Sequence, residues 1–196
     1  MTEAINNNQD KLSSIPTLTP KLFIVMGVSG SGKTVIGRKL AKDLNEQAEF
    51  KFLDADDFHS LEAKQRMAAN LPLDDTMREP WILSIMNKLV ELNQKNINVV
   101  LAFSGLKLQH RKRFRTLNFQ CHYYYLLADV SVIESRLLTR KNHFFSAKLL
   151  SSQFLAMQEI DSNEKDVTKF DVSSAFDEVY QRIFTVAKLD LTKDRS

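Results

Sequence analysis

The chain has 196 residues, of which 43% are hydrophobic and 26% are charged, and its 27 Lys and Arg against 24 Asp and Glu give a net charge of +3. This composition is typical of one ordinary globular domain, and the mild positive charge does not by itself indicate a nucleic-acid-binding protein. The single cysteine, Cys121, excludes an internal disulfide and a zinc site built on cysteines, and is typical of a reducing compartment.

The chain begins with a polar stretch, residues 1–20, which contains two prolines and no arginine. It lacks the apolar core of a signal peptide and the arginines of an organelle import signal, so we expect a flexible polar tail. No apolar run approaches the roughly 18 residues that a membrane span needs. We therefore expect a cytoplasmic protein whose residues 21–196 form a single domain.

Short apolar runs alternate with segments of helical periodicity along the rest of the chain. Strands are predicted where a run is apolar throughout, at 22–26, 50–53, 97–103, 122–129 and 169–173. Helices are predicted at 34–44, 61–69, 79–94, 107–117, 130–141, 148–160 and 175–188. This alternation predicts an α/β fold, with a parallel sheet between two layers of helices.

The first strand leads into a glycine-rich turn. Gly27, Gly32, Lys33 and Thr34 match the pattern G-x-x-x-x-G-K-[ST] between a predicted strand and a predicted helix. Glycines let backbone N–H groups point at phosphate oxygens, and the helix N-terminus adds partial positive charge. Lys33 would reach the β- and γ-phosphates, and Thr34 would place its hydroxyl on Mg²⁺. The predicted ATP-binding residues of this turn are Gly27, Val28, Ser29, Gly30, Ser31, Gly32, Lys33 and Thr34.

Three carboxylates and a histidine follow the second predicted strand, in the segment DADDFH at 54–59. The end of that strand would open onto the same edge of a parallel sheet as the glycine-rich turn. A carboxylate there can accept the proton of a substrate hydroxyl, and another can hold water on Mg²⁺. A solvated acidic turn is the alternative, and the neighbouring phosphate site favours a functional role.

Basic side chains supply candidate anion ligands further along the chain. Arg78 stands just before a predicted Pro-Trp helix start, where it could bind an anion in a bidentate manner. Lys107 and Arg111 follow the third strand, and their i, i+4 spacing would give them a common helix face. We interpret the rest of 107–117 as a solvated face rather than an RNA-binding surface.

Arg136 and Arg140 have the same spacing, at the end of a predicted helix that runs into an aromatic segment. On a mobile flap over a phosphate loop, such arginines would neutralise charge during transfer and exclude water. A basic helix C-terminus stabilised by the helix dipole is the alternative. Together, the carboxylates and cations suit the transfer of a phosphate to a small polyol that carries a carboxylate.

The chain resembles the gluconokinases of the small P-loop type, within the group that includes shikimate and adenylate kinases. The resemblance spans roughly residues 22–171. It rests on MGVSGSGKT (26–34), DADDFH (54–59), the frame PL-x-D-x-x-R-x-PW (72–81), SGLK (104–107), VIESRLLTRKNHFF (132–145) and SQF (152–154). The chain departs from the family's usual residues mainly on the acceptor side, at Asn70, Met77, Gly105, His110 and Lys112.

The resemblance implies a five-stranded parallel sheet with a helical lid at about 140–150, and the ATP- and Mg²⁺-dependent phosphorylation of D-gluconate to 6-phosphogluconate. It also implies a homodimer. From the charge pattern and the lack of an apolar span, we expect no nucleic-acid or membrane partner. The implied catalytic residues are Lys33, Asp56 and Arg140. The implied ATP ligands beyond the glycine-rich turn are Arg136 and Arg140, and Mg²⁺ would be held by Thr34 and, through water, by Asp54. The expected sugar-acid ligands are Asp56, His59, Arg78, Lys107 and Arg111.

The sequence leaves two alternatives to a gluconate kinase open. The first is a related kinase that acts on another small sugar acid or polyol. The second is a nucleotide-binding module without turnover, which the presence of Asp56, Arg136 and Arg140 disfavours.

Overall fold

The structure, a computed structural model, describes residues 19–69, 71–138 and 147–193. Its strands are β1 Lys21–Met26, β2 Phe50–Asp54, β3 Asn98–Phe103, β4 Gln120–Leu127 and β5 Val167–Asp171. Its helices are α1 Lys33–Leu44, α2 Leu61–Ala68, α3 Asp75–Gln94, α4 Leu108–Arg115, α5 Val130–Leu138, α6 Ala147–Ala156 and α7 Phe176–Thr192. A short 3₁₀ helix at Ala55–Phe58, which the sequence pattern did not predict, follows β2.

The five strands form one parallel sheet in the order β2-β3-β1-β4-β5, which confirms the predicted α/β fold. Every residue of β1 is buried, as expected for a central strand that is covered on both faces. Met26 at the end of β1 is level with Phe103 of β3 and Tyr125 of β4. The loops that follow these three strands therefore begin at one edge of the sheet, where ligands bind in folds of this type.

Two apolar layers cover the sheet. Side chains of α1 and α7 pack on one face, and side chains of α3 pack on the other together with Phe114 of α4. A third, smaller cluster of Val28, Leu106, Ile133 and Leu150 joins the loops after β1 and β3 to α5 and α6. This cluster fixes α5 and α6 next to the glycine-rich turn.

Helix α3 begins at Asp75, four residues before the predicted start. Asp74 is its N-cap, and Asp74 Oδ1 accepts a hydrogen bond from Met77 N at 2.9 Å. The prediction placed the start at Glu79 because Pro80 favours a first helical turn, whereas Pro80 lies inside the helix. Arg78 consequently belongs to the first turns of α3 rather than to a preceding loop.

Parts of the predicted organisation lie outside the described residues. These are nearly all of the predicted polar tail and the greater part of the predicted lid, at 1–18 and 139–146. Within the described part of the chain, none of the helices is both long enough and apolar enough to cross a membrane.

Candidate active site

The turn after β1 has the geometry of a phosphate-binding loop. Gly32 is the N-cap of α1 with φ 100° and ψ 9°, a left-handed conformation that glycine adopts without strain. At Gly27, a Cβ atom would lie 2.8 Å from both the Leu126 carbonyl oxygen and Ser31 Oγ. No side chain of the described residues caps the N-terminus of α1, so its first N–H groups are available to an anion.

Two further features of this loop fit a bound phosphate chain. Lys33 Nζ folds back onto the loop and donates to the Val28 carbonyl oxygen at 3.0 Å. Ser31 Oγ is buried, and it has no hydrogen-bond partner among the described residues. Buried hydroxyl groups are rarely left unpaired, so this one is suited to a ligand oxygen. Ser29 N donates to Gln153 Oε1 of α6 at 2.7 Å, which ties α6 to the loop.

Oxygen ligands for a cation meet beside this loop. Thr34 Oγ1 donates to Asp54 Oδ2 at 2.8 Å, and Asp54 Oδ1 accepts from the backbone N–H of Asp56 at 3.1 Å. A hydroxyl and a carboxylate are hard ligands that suit Mg²⁺. Within the described ranges, no cluster of three His, Cys, Asp or Glu side chains could hold a metal ion. Magnesium in kinases takes its remaining ligands from phosphates and water.

An acceptor pocket opens next to the phosphate loop. Its lining combines four of the five predicted sugar-acid ligands with residues of α2, α3, α4, α6 and the loops that follow α2 and β3. They are Asp56, His59, Met67, Pro72, Leu73, Arg78, Trp81, Ser104, Leu106, Lys107, His110, Ser152, Gln153 and Ala156. The Ser104 carbonyl oxygen accepts from Gly27 N at 3.1 Å, so this pocket and the phosphate loop share a wall.

Asp75 holds the two cations of the acceptor pocket together. Its Oδ1 accepts a hydrogen bond from Arg78 Nη1 at 3.2 Å and a short one from Lys107 Nζ. The hydrogen bond from Lys107 is the largest cause that lowers the pKa of Asp75, so this carboxylate stays ionised at neutral pH. Sequence reasoning gave Asp75 no role, although its i, i+3 spacing from Arg78 was a usable signal.

Arg111 does not line the acceptor pocket, so the expectation that it shares a ligand-binding face with Lys107 is wrong. Its side chain is fully buried, and Nε and Nη2 donate to the two carboxylate oxygens of Glu164 at 2.8 and 2.7 Å. Nη1 donates to the carbonyl oxygens of Gly105 and Leu106 at 2.8 and 3.3 Å. The i, i+4 argument failed because Lys107 is the N-cap of α4, with extended backbone, and does not share the helical face of Arg111.

Two buried histidines of the acceptor pocket lie at the ends of a row of aromatic rings. The His59 ring stacks on Trp81 with centroids 4.3 Å apart, Trp81 stacks on Phe103 at 5.2 Å, and Phe103 meets the His110 ring at 6.4 Å. Trp81 Nε1 donates to the Ala55 carbonyl oxygen at 2.7 Å, which fixes the row below the 3₁₀ helix. Burial is the main cause that lowers the pKa of His59, and it lowers the pKa of His110 to about 4.

A second pocket lies on the other side of the phosphate loop. Its lining includes Gly30, Ser31, Gly32, Val35, Ile36, Arg136, Val172, Ser174, Phe176 and Val179. Arg136 Nη2 donates to the carbonyl oxygen of Val172, so this guanidinium spans from α5 to the segment before α7. The apolar and backbone groups of this pocket suit the nucleoside part of a nucleotide. Arg140, the second predicted arginine, lies outside the described residues.

The chain is similar to known proteins over most of its length. Residues 22–160 match the family model described as an AAA domain. The chain is 34% identical to the thermoresistant gluconokinase of Escherichia coli (strain K12) over 167 residues, which are 85% of this chain and 93% of that protein. It is 36% identical to the gluconokinase of Arabidopsis thaliana over 160 residues, covering 75% of this chain and 82% of that protein.

Solved structures give the same result for the fold. The crystal structure of a gluconokinase from Sinorhizobium meliloti 1021 superposes with a TM-score of 0.75 and 28% identity, covering 87% of this chain and 94% of that chain. An unliganded crystal structure of a sugar kinase from Janibacter sp. HTCC2649 superposes with a TM-score of 0.76 and 28% identity, covering 85% of this chain and 93% of that chain.

Proposed function

The chain belongs to the gluconokinase family, and from this we propose that it transfers the γ-phosphoryl group of ATP to D-gluconate, forming 6-phosphogluconate and ADP. One structural observation supports the proposal independently of family membership. Asp56, Arg78 and Lys107 line a single pocket that shares a wall with the phosphate loop. A carboxylate for a hydroxyl and two cations for a carboxylate are the groups that a sugar acid requires.

The phosphate loop supplies the donor side of the transfer. Lys33 and the N–H groups at the start of α1 would hold the β- and γ-phosphates and stabilise the charge that develops on them. The predicted set of Gly27, Val28, Ser29, Gly30, Ser31, Gly32, Lys33 and Thr34 is supported by the unpaired Ser31 hydroxyl and by the lack of room for a Cβ atom at Gly27. Mg²⁺, when bound between Thr34 and Asp54, would neutralise charge on the β- and γ-phosphates.

Asp56 is the proposed group that engages the accepting hydroxyl. It belongs to the 3₁₀ helix that follows Asp54, and it lines the acceptor pocket. A carboxylate in hydrogen-bonding reach of that hydroxyl orients it and takes its proton as the phosphoryl group arrives. Strand β3 pairs with both β1 and β2, so the ends of β1 and β2 are level in the sheet. Asp56 after β2 and Lys33 after β1 therefore lie at the same edge of the sheet.

The substrate carboxylate is the proposed partner of Arg78 and Lys107. Asp75 neutralises part of their charge, and it keeps both side chains in place before the substrate arrives. Preordered cations lose less conformational entropy on binding than free ones. Arg136, and Arg140 by its place in the family pattern, are the proposed arginines that cover the nucleotide.

An ADP-release assay with a panel of acceptors tests this proposal. The panel holds D-gluconate, other sugar acids, polyols without a carboxylate, shikimate and nucleoside monophosphates. We expect gluconate to raise ADP release far above the background ATPase rate. If gluconate leaves that background unchanged while another acceptor raises it, the chain is a kinase for that other acceptor. If no acceptor does, the chain is a nucleotide-binding module without turnover.

The remaining expectations stay predictions. They are the single kinase domain at 21–196 with a lid at about 140–150, the flexible tail at 1–20, the cytoplasmic location and the homodimer. Light scattering on the purified chain measures the last of these directly.

A further inference from the structure

His110 is a buried polar side chain to which the proposed reaction assigns no part. It lies in the first turn of α4, three residues after Lys107, and it lines the acceptor pocket. The residue is only 7% exposed. Its ring contacts Phe103, and its imidazole makes no hydrogen bond to any described residue. Unlike Nδ1 of His59, the His110 ring nitrogens are not fully enclosed by the described residues, so they are open to a ligand in the pocket.

The two pocket histidines lie at opposite ends of the pocket, with the rings of Trp81 and Phe103 between them. The charges of Asp56, Lys64 and Arg78 act on the pKa of His59. The charges of Arg78 and Lys107 act on the pKa of His110, and the charges of Asp75 and Arg113 have smaller effects on it. The charge of Arg78 acts on both rings. The end with His59 and Asp56 is the reacting end, and the end with His110 and Lys107 is the end that would take the carboxylate.

His110 is neutral at pH 7, because burial and the charges of Arg78 and Lys107 lower its pKa to about 4. A neutral imidazole has one nitrogen that donates a hydrogen bond and one that accepts. A hydroxyl group also donates and accepts, so the two match. A protonated His110 would instead be a third cation, although Arg78 and Lys107 already supply positive charge for a substrate carboxylate.

We propose that His110 is a specificity-determining residue that hydrogen-bonds a hydroxyl of the sugar acid close to its carboxylate. This inference rests on the proposed function, since it assumes an acceptor whose carboxylate lies at the Lys107 end. His110 then distinguishes a sugar acid that carries the hydroxyl from one that lacks it. A site built to hydrogen-bond a hydroxyl rejects the analogue without it, because the buried partner is left unpaired.

The test compares a variant that keeps an aromatic ring without nitrogens and a variant that keeps a hydrogen-bond donor and acceptor without the ring. His110→Phe keeps the packing against Phe103 and removes both nitrogens, and His110→Gln keeps a donor and an acceptor. Each is assayed with D-gluconate and with its 2-deoxy and 3-deoxy derivatives. We expect His110→Phe to lower kcat/KM for gluconate about tenfold, mainly through KM, because one buried hydrogen bond is lost. His110→Gln should recover most of that loss, and KM for ATP should not change.

The deoxy derivatives provide the decisive comparison. For the derivative that lacks the contacted hydroxyl, wild type and His110→Phe should have equal kcat/KM. An equal loss on gluconate and on both derivatives would overturn the inference, as would no loss on any of them. His122→Phe is the matched control, because His122 contacts Asp190 and is not part of the pocket lining. If thermal unfolding shows that His110→Phe is not folded, His110→Leu is used with the same expectation.

The wild-type rate distinguishes a failure of the proposed function from a failure of the proposed role of His110. If wild type does not phosphorylate gluconate, the proposed function fails, and the variants are compared on the sugar acid that wild type does use and its deoxy derivatives. If wild type phosphorylates gluconate, only the variants decide whether His110 contacts the substrate. If the acceptor proves to carry no carboxylate, the inference fails together with the sugar-acid assignment.

Discussion

Thr34 Oγ1 donates a hydrogen bond of 2.8 Å to Asp54 Oδ2, and this contact joins the first turn of α1 to the end of β2. The two residues are 20 positions apart in the chain, and the parallel sheet brings them together. The contact places the hydroxyl of the phosphate loop beside the carboxylate that precedes Asp56. Donor and acceptor sides of the site are therefore linked at the proposed position of the metal ion.

Asp54→Asn tests this link. We expect the Mg²⁺ concentration for half-maximal activity to rise about 10- to 100-fold, since the amide can still accept from Thr34 but no longer carries charge. A Mg²⁺ titration of the gluconate-dependent rate measures it. Asp57→Asn is the control, because Asp57 is exposed in the same turn and does not line the acceptor pocket. An equal Mg²⁺ dependence in the two variants would remove Asp54 from the metal site.

Arg78→Gln tests the proposed carboxylate site. We expect KM for gluconate to rise about 10- to 100-fold while KM for ATP stays constant, because a hydrogen bond to a charged group contributes about 1.5–3 kcal/mol. Arg113→Gln is the matched control, since its guanidinium pairs with Glu79 instead of lining the pocket. Steady-state kinetics with each substrate varied in turn decide the question. A parallel rise of both KM values would indicate a general distortion of the site.

Glu164→Gln tests the structural role of Arg111. The variant leaves a fully buried guanidinium without its charged partner, so we expect the free energy of unfolding to fall by about 3–5 kcal/mol. Glu79→Gln removes an exposed ion pair with Arg113 and should cost about 1 kcal/mol or less. Urea unfolding measures both. A loss in Glu164→Gln no larger than in Glu79→Gln would contradict the buried network.

The pocket histidines predict a specific loss of stability in acid. The pKa of His110 falls from 6.5 in the unfolded chain to about 4 in the folded one, so the unfolded chain binds the proton first as the pH decreases. Stability should therefore fall between pH 6.5 and 4, and His59 acts in the same direction. Glu164, whose hydrogen bond with Arg111 lowers its pKa to about 2, loses its contribution only below pH 4.5.

His110→Phe isolates this effect. Between pH 7 and pH 5, the wild type should lose about 1–2 kcal/mol more stability than the variant does. Urea unfolding at pH 7, 6 and 5 provides the values. The same slope in both proteins would mean that His110 binds its proton over the same pH range in the folded and the unfolded chain.

The donor side of the site was predictable from sequence because its constraints are local. Gly27, Gly32, Lys33 and Thr34 occupy one short turn, and the strand and helix on either side follow from apolar runs and helical spacing. The five strands were predicted to within about two residues at their ends. The central strands β1 and β3 are apolar and almost fully buried, as expected for strands covered on both faces, whereas the edge strands β2 and β5 are only partly buried.

The acceptor side depends on contacts between distant parts of the chain. The direction of Arg111 is set by Glu164, which is 53 residues away, and no local pattern indicates that pairing. Asp75 holds Lys107 across 32 residues, and His110 enters the pocket only because α4 begins one residue after Lys107. Side-chain direction at a helix start depends on the capping residue, and spacing alone cannot supply it.

The most direct test of the proposed transfer follows the phosphate itself. ATP labelled in its γ-phosphate is incubated with Mg²⁺, D-gluconate and the purified chain, and the sugar acid is analysed by ³¹P NMR and mass spectrometry. We predict one phosphate ester on the terminal hydroxyl of gluconate for each ADP formed, and a rate at least about 100-fold lower in folded Lys33→Ala and Asp56→Asn. Label that appears only in inorganic phosphate, or equal ester formation in either variant, would contradict the account.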